Sequence, residues 1–334
     1  MHQYLDAWSI RPVHISPLTS GTNNTSWLVQ TEEGEEYVLR ITPGRHNVSR
    51  ILYEIQLLIK LAKQQLSFSL PVPLSTHTGE HLLHDGTALV MLMRRLPGKG
   101  SGAPTERHHL PLVRAAGVAL AQLDSALATL DLPAPEQTAF GDFAHAYPLV
   151  PDPLAALKRL PLEPEQSNRL RALLTDIMER TPGLYQRLPQ QLLHRDYDPA
   201  NILVQGNQVT AVLDFEFAGT DLRVLDLCVA LSWWPVYLMG SEQEWEVIDA
   251  FGRAYTAHLP LHKDELLALP DVLRLRDAAS LIHRIGRYLA GLETDARMLD
   301  RVQHTFWREE WLIHNREKLL QHVLAWQAAP ELSA

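Results

Sequence analysis

The sequence predicts an α+β protein, with a small antiparallel-sheet region followed by a larger, mainly helical one. Three observations carry that expectation. Through most of the first hundred residues the apolar positions follow strand periodicity, and after them they follow helix periodicity. A Gly/Pro/Ser-rich run, LPGKGSGAP at 96–104, separates the two regions. Within the helical region a single pair of β-prone runs flanks Gly206 and Asn207, a hairpin signal. The length of 334 residues allows about two domains at roughly 150 each, and we set them at residues 1–95 and 96–334.

In chain order, HISPL at 14–18, TSWLVQT at 25–31 and EYVLRI at 36–41 read as strands, separated by the polar loop 19–24 and a turn at Glu33 and Gly34. Residues 48–65 read as an amphipathic helix, because Ile51, Ile55, Leu58, Ile59 and Ala62 repeat at helical spacing. The run TALVMLM at 87–93 is a further strand. Helices are expected over 112–130, 163–180, 245–258, 263–292 and 295–327, and the hairpin over 202–213. The longest apolar stretch, 227–240, contains Pro235 and falls short of the ~20 residues of a spanning helix. It reads as a core helix ending near its proline.

Thirty-nine acidic and 30 basic residues give a net charge of −9, which invites neither nucleic acid nor an anionic membrane and suits a cationic small molecule. The one cysteine, Cys228, fits a reducing compartment. The opening MHQYLDAWSIRPVHI lacks a basic segment followed by an apolar run, so a cytoplasmic location is expected. The oligomeric state stays open.

The chemistry concentrates in HRDYDPANILVQGNQVTAVLDFEFAG, residues 194–219. Closing the hairpin at Gly206 and Asn207 brings Asn201 and Asp214 to its open end, with Asp196 just upstream. Asp, Asn and Asp together supply the hard oxygen donors that suit Mg²⁺ held jointly with phosphates.

This pattern resembles the aminoglycoside phosphotransferase, choline kinase and type II homoserine kinase superfamily, whose fold is the bilobal protein-kinase-like one. The resemblance covers nearly the whole chain in lobe order, and its specific motifs lie in residues 194–227. It implies an ATP-dependent phosphotransferase, with GTP as an alternative nucleotide and Mg²⁺ as cofactor. By position, Asp196 would accept the proton of the attacking hydroxyl, His194 would brace the loop, and Asn201 and Asp214 would hold the metal. Asp226 would buttress the catalytic loop. In the first lobe the resemblance pairs a helix glutamate with a strand cation that touches phosphate. Here these are Glu54, on a face shared with Ile51, Leu57, Leu58 and Leu61, and Arg40 in place of the usual lysine. Ser20, Gly21 and Asn24 lie where this fold covers the phosphates, and the segment from Met91 through Met93 to Arg94 resembles the nucleobase-binding hinge.

The acceptor is expected to be small and amine-bearing. DFE at 214–216 is followed ten residues later by Asp226, with no APE, which leaves no room for a peptide platform. Asp198, two residues after the catalytic aspartate, would attract an ammonium and repel a phosphate. The loop after Asp214 resembles the type II homoserine kinases most, and DFEF also resembles the DFEY of choline kinases. An amino-acid acceptor would use Arg284 and Arg287, with Arg274 and Arg276 also available. A choline-like one would use an aromatic cage drawn from Trp233, Trp234, Trp307 and Trp311. An aminoglycoside would use Asp198, Glu216 and Asp221. A nucleotide-binding pseudokinase is the alternative from another class, motivated by Arg40 and the glycine-poor phosphate loop.

Overall fold

The computed structural model describes residues 1–18, 25–43, 48–105, 109–132 and 139–327. It contains two compact units. The first takes Met1–Gly102 and Pro199–Ala218 with a short stretch from Thr129, and the second takes the remainder. The expected boundary at 95/96 therefore differs from the observed grouping, because the 199–218 hairpin packs with the first unit. The Ser69 N–H donates to the Thr210 carbonyl at 2.8 Å, and the Thr210 hydroxyl to the Pro97 carbonyl at 2.6 Å. Gly98 lies beside this contact at φ 113°, where a Cβ would run into the Thr210 hydroxyl.

The first unit opens with helix α1 (His2–Leu5). Its main sheet comprises β1 (Pro12–Leu18), β2 (Thr25–Thr31), β3 (Glu36–Pro43), β4 (Leu83–His84) and β5 (Ala88–Arg94), in the antiparallel order β1-β2-β3-β5-β4. Helix α2 (Val48–Leu61) lies between β3 and β4 in sequence. The uninterrupted apolar run of β5 has a simple cause. Val90 and Leu92 face Leu5 and Trp8 of the amino-terminal segment, with Val29, Tyr37 and Leu39, while Leu89 and Met91 face Ile51 and Ile55 of α2. A strand covered on both faces has no polar side to show. A smaller sheet joins β6 (Lys99–Gly100) to the hairpin strands β8 (Ile202–Gln205) and β9 (Gln208–Val212), whose two-residue turn has Gly206 at φ 59°.

The second unit is helical, with α3 (Leu110–Ala128), α4 (Pro153–Ala156), α5 (Pro164–Arg187), α6 (Leu225–Trp233), α7 (Glu244–Thr256), α8 (Lys263–Leu289), α9 (Asp295–His314) and α10 (Arg316–Ala325). Among the described residues its one sheet pairs β7 (Gln190–Leu193) antiparallel with β10 (Gly219–Leu222). Helix α3 is long and apolar enough to cross a membrane by length and composition, yet 61% of that window is buried, largely against α7. Gly117 permits that approach, since a Cβ there would lie 2.6 Å from the Phe251 carbonyl. The helix expected over 295–327 is instead two. Asn315 leaves helical geometry (φ −102°, ψ 10°), its side chain donates to the Trp311 carbonyl at 3.0 Å, and its own carbonyl receives the Leu319 N–H at 2.8 Å.

Candidate active site

In the second unit, β7 delivers residues 194–198 and β10 starts five residues past Asp214, so the ribbon frames this loop. Asp226, at the start of α6 and fully buried, accepts the His194 and Arg195 N–H groups at 2.7 Å each. Arg195 sits at φ 65°, a left-handed conformation that a non-glycine residue keeps only when its surroundings hold it. Those surroundings are explicit. Its guanidinium lies over the Phe140 ring at 4.9 Å and pairs with Asp221 at 3.2 Å, with side-chain exposures of 2% and 0%. Asp221 also accepts from the Tyr185 hydroxyl at 2.6 Å and the Phe140 N–H at 2.8 Å.

The side chains then alternate. His194 is buried and its Nδ1 accepts the Asp196 N–H at 3.2 Å, so the ring proton belongs on Nε2. Tyr197 is fully buried, donates to the Ala116 carbonyl at 3.0 Å and meets Phe251 edge-on. With Tyr197 plugged into the core, Asp196 and Asp198 on either side of it are left half-buried.

In the first unit, Arg40 and Glu54 form a bidentate pair at 2.8 and 2.6 Å, nearly out of solvent. Both Nη groups are spent on the carboxylate, and the buried Nε has no acceptor among the described residues. Burial alone would lower the Arg40 pKa, but Glu54, with Asp214 and Glu216 beyond it, raises it on balance. Asp214 stands at φ 63° just past β9. The Leu213 N–H donates to the Asn201 carbonyl at 2.8 Å, which closes the hairpin mouth and sets Asn201 beside the turn into Asp214. Burial and then the Glu216 carboxylate push the Asp214 pKa up to about 7, and Arg40 offsets only part of this. Among the described residues no three His, Cys, Asp or Glu side chains form a metal cluster. The donor set at the hairpin mouth nevertheless fits a hard cation that keeps water or phosphate ligands, since a carboxylate burdened by a like-charged neighbour gains from a nearby divalent charge.

The other expected residues are distributed as follows. Met91 packs under α2, and Met93, near the end of β5, bridges to Pro73; the Leu92 carbonyl between them accepts the Leu74 N–H at 2.7 Å. Ser20, Gly21 and Asn24 lie outside the described residues. Trp233 already has a cation over its face, Arg276 at 5.0 Å. Trp234 meets Phe251, Trp307 stacks on His304 and Trp311 on Trp245, so no ring contact joins two of the four tryptophans. Arg274 pairs with Asp176 and Glu309, and Arg276 with Asp277. Arg284 and Arg287 both reach Glu293, at 3.1 and 3.5 Å, where Arg301 joins them. One expectation needs correction. Asp221, counted among the acids open to a polycationic acceptor, is fully buried and committed to Arg195.

Three contributors were not found from the sequence: Tyr197 as anchor, Asp221 as partner of Arg195, and the β7/β10 ribbon. An apolar or aromatic residue between two acids, as in DYD, is the one signal that could have pointed to an anchored loop.

Known proteins are similar to this chain. A family model described as "Phosphotransferase enzyme family" matches residues 14–265. A homoserine kinase of Phenylobacterium zucineum (strain HLK1) is 26% identical over 259 residues, covering 78% of this chain and 75% of that protein. Among solved structures, the amicoumacin kinase hAmiN in complex with AMP-PNP, Ca²⁺ and Ami aligns at TM-score 0.68 and 18% identity over 91% of each chain. A microcompartment-associated aminopropanol kinase aligns at TM-score 0.65 and 17% identity over 97% of this chain and 98% of its own. The structural matches establish an α+β fold of the protein-kinase-like type.

Proposed function

This chain belongs to the phosphotransferase enzyme family, and from that membership we propose that it transfers a phosphoryl group from Mg²⁺·ATP to a hydroxyl of a small, amine-bearing acceptor, homoserine first. The observation that carries the reading is the pair of half-buried carboxylates, Asp196 and Asp198, held on either side of the buried Tyr197. Asp196 takes the role of orienting the hydroxyl and accepting its proton. Asp198 supplies a negative charge that favours an ammonium on the same acceptor. Homoserine and aminopropanol, named for a relative and a structural neighbour, each carry both groups.

Asn201 and Asp214 would hold the metal, which when bound neutralises charge on the transferring phosphoryl group. Arg40 faces the phosphates through whatever donors Glu54 leaves it, in place of the compact ammonium of a lysine, with Ser20, Gly21 and Asn24 assigned to the covering loop. Met93 contributes an apolar wall for the nucleobase, and Met91 lies beneath it. Glu216 acts with Asp214 and Arg40 rather than on the acceptor. Arg284 and Arg287 are the partners assigned to an acceptor carboxylate, with Glu293 as competitor. The occupied face of Trp233 ranks a choline-like acceptor lower.

The test is ADP release in the presence of homoserine, aminopropanol, ethanolamine, choline, aminoglycosides, macrolides and simple sugars. Stimulation by homoserine or a primary amino alcohol, lost on Asp198→Asn through a raised acceptor KM, is the expected result. Tight nucleotide binding with no acceptor response across the panel would favour a nucleotide sensor instead.

A further inference from the structure

Helix α3 is strongly apolar, yet it places Asp124 at 0% exposure. One carboxyl oxygen accepts the Tyr255 hydroxyl of α7 at 2.8 Å. The other, Oδ1, finds no donor among the described residues, and the like charge that acts on this carboxyl is that of Asp226, the second fully buried acid. Asp226 in turn accepts one N–H on each oxygen, from His194 and Arg195, which leaves each a second lone pair. Two carboxylates cannot hydrogen-bond to each other, and two negative charges without water repel strongly. Both difficulties vanish with one proton between them.

We propose that Asp124 is a protonated carboxylic acid that donates its hydrogen bond to Asp226 and thereby positions the loop 194–198. Asp124 is a positioning residue, two hydrogen bonds removed from Asp196. Its surroundings are consistent. Burial and then the Asp226 charge raise the Asp124 pKa, and burial likewise pushes up Tyr255 and Tyr197. The nearby cations are engaged elsewhere: Arg223, just before α6, pairs with Glu265 of α8, and Arg195 pairs with Asp221. The Asp124 carbonyl receives the Gln191 side chain of β7 at 3.0 Å, which ties the same turn of α3 to the ribbon that delivers the loop.

Asn and Ala at position 124 separate a proton-bearing donor from mere filling of space. Asparagine donates to Asp226 and accepts from Tyr255 without titrating; alanine does neither. An acid kept protonated by the fold contributes most stability below its unfolded pKa of about 3.9 and loses that contribution as pH rises toward its folded value. As pH rises above about 4, therefore, the wild-type denaturation midpoint should fall more steeply than that of Asp124→Asn. The wild-type-minus-D124N infrared spectrum at pH above the unfolded value of about 3.9 should show the carbonyl stretch of a protonated carboxyl. Neither readout needs a substrate, so they decide the proposal even if the assigned activity fails. The kinetic consequence rests on the proposed function: Asp124→Ala should lower kcat by roughly tenfold or more with little change in nucleotide KM, and Asp124→Asn should recover most of that loss. Absence of the protonated-carboxyl band, or equal pH slopes for wild type and D124N, would overturn the shared proton. Equal kcat losses in the two variants would overturn the positioning role.

Discussion

Replacing Asp221 with asparagine preserves the shape of the side chain and removes one charge. Oδ1 of Asp221 receives the Tyr185 hydroxyl at 2.6 Å and the Leu222 N–H at 2.8 Å; Oδ2 receives the Phe140 N–H at 2.8 Å and Arg195 at 3.2 Å. In either orientation the new amide turns its NH₂ toward two donors. Two donors lose their acceptor at once, and Arg195 keeps its charge at 2% exposure. Removing one partner of such a pair costs about 3–5 kcal/mol, a large fraction of the roughly 5–15 kcal/mol that holds a protein folded. Urea denaturation followed by tryptophan fluorescence reads this directly, because Trp233, Trp234, Trp245, Trp307, Trp311 and Trp326 all belong to the same unit. With an m-value of about 2–3 kcal/mol/M the midpoint should drop by roughly 1–2 M. A shift below about 0.3 M would mean that the loop keeps its shape without this pair, and the account of its scaffold would have to be abandoned.

Further outcomes follow from the same geometry. Asp196→Ala should abolish turnover while nucleotide affinity, read by calorimetry, stays within about threefold; an active variant on a responsive acceptor would end the assigned mechanism. Asp214→Ala should weaken binding of the Mg²⁺-nucleotide far more than of the metal-free nucleotide, and equal weakening of both would remove Asp214 from the metal. His283 is held neutral, its pKa lowered to about 4 by burial and then by Arg284 and Arg287. Its ring meets Tyr147 edge-on at 5.3 Å. A base with a depressed folded pKa contributes stability above its unfolded value of about 6.5 and loses it as pH falls through the folded one. His283→Gln should therefore flatten the loss of stability between about pH 6.5 and 4, and identical acid transitions for variant and wild type would refute the assignment.

The parts of this fold that the sequence displayed are those where one local rule decides. The period of α2, the alternation in β2 and β3, and the glycine turn at Gly206 each needed no knowledge of a partner. The β7/β10 ribbon was invisible because its strands are four residues long and carry Gln190, Gln191, Thr220 and Asp221 where apolar residues would mark a strand. Acidic residues misled for a related reason. Composition counts Asp221 as available charge, but its fate depends on which N–H groups and cations the fold brings to it. Asp124 was passed over because a lone acid in an apolar helix has no meaning until its neighbours are known. The arginines of α8 were likewise read as open cations, whereas Arg274, Arg276 and Arg284 all meet acids.

The double coverage of β5 bears on how its pairing is chosen. A strand that is apolar on both sides remains buried if it slides by one residue, so ALVMLM contains little to tell the correct alignment with β3 from its neighbours. The discriminating groups sit at its end. Arg94 reaches Glu35 at 3.1 Å, and Arg95 reaches Glu36 at 2.7 Å while its N–H meets the Glu36 carbonyl at 2.9 Å. Exposed ion pairs of this kind add only about 0.2–1 kcal/mol to stability. Their larger service is to penalise the slipped alignment, in which each arginine would point to the wrong face and away from its acid.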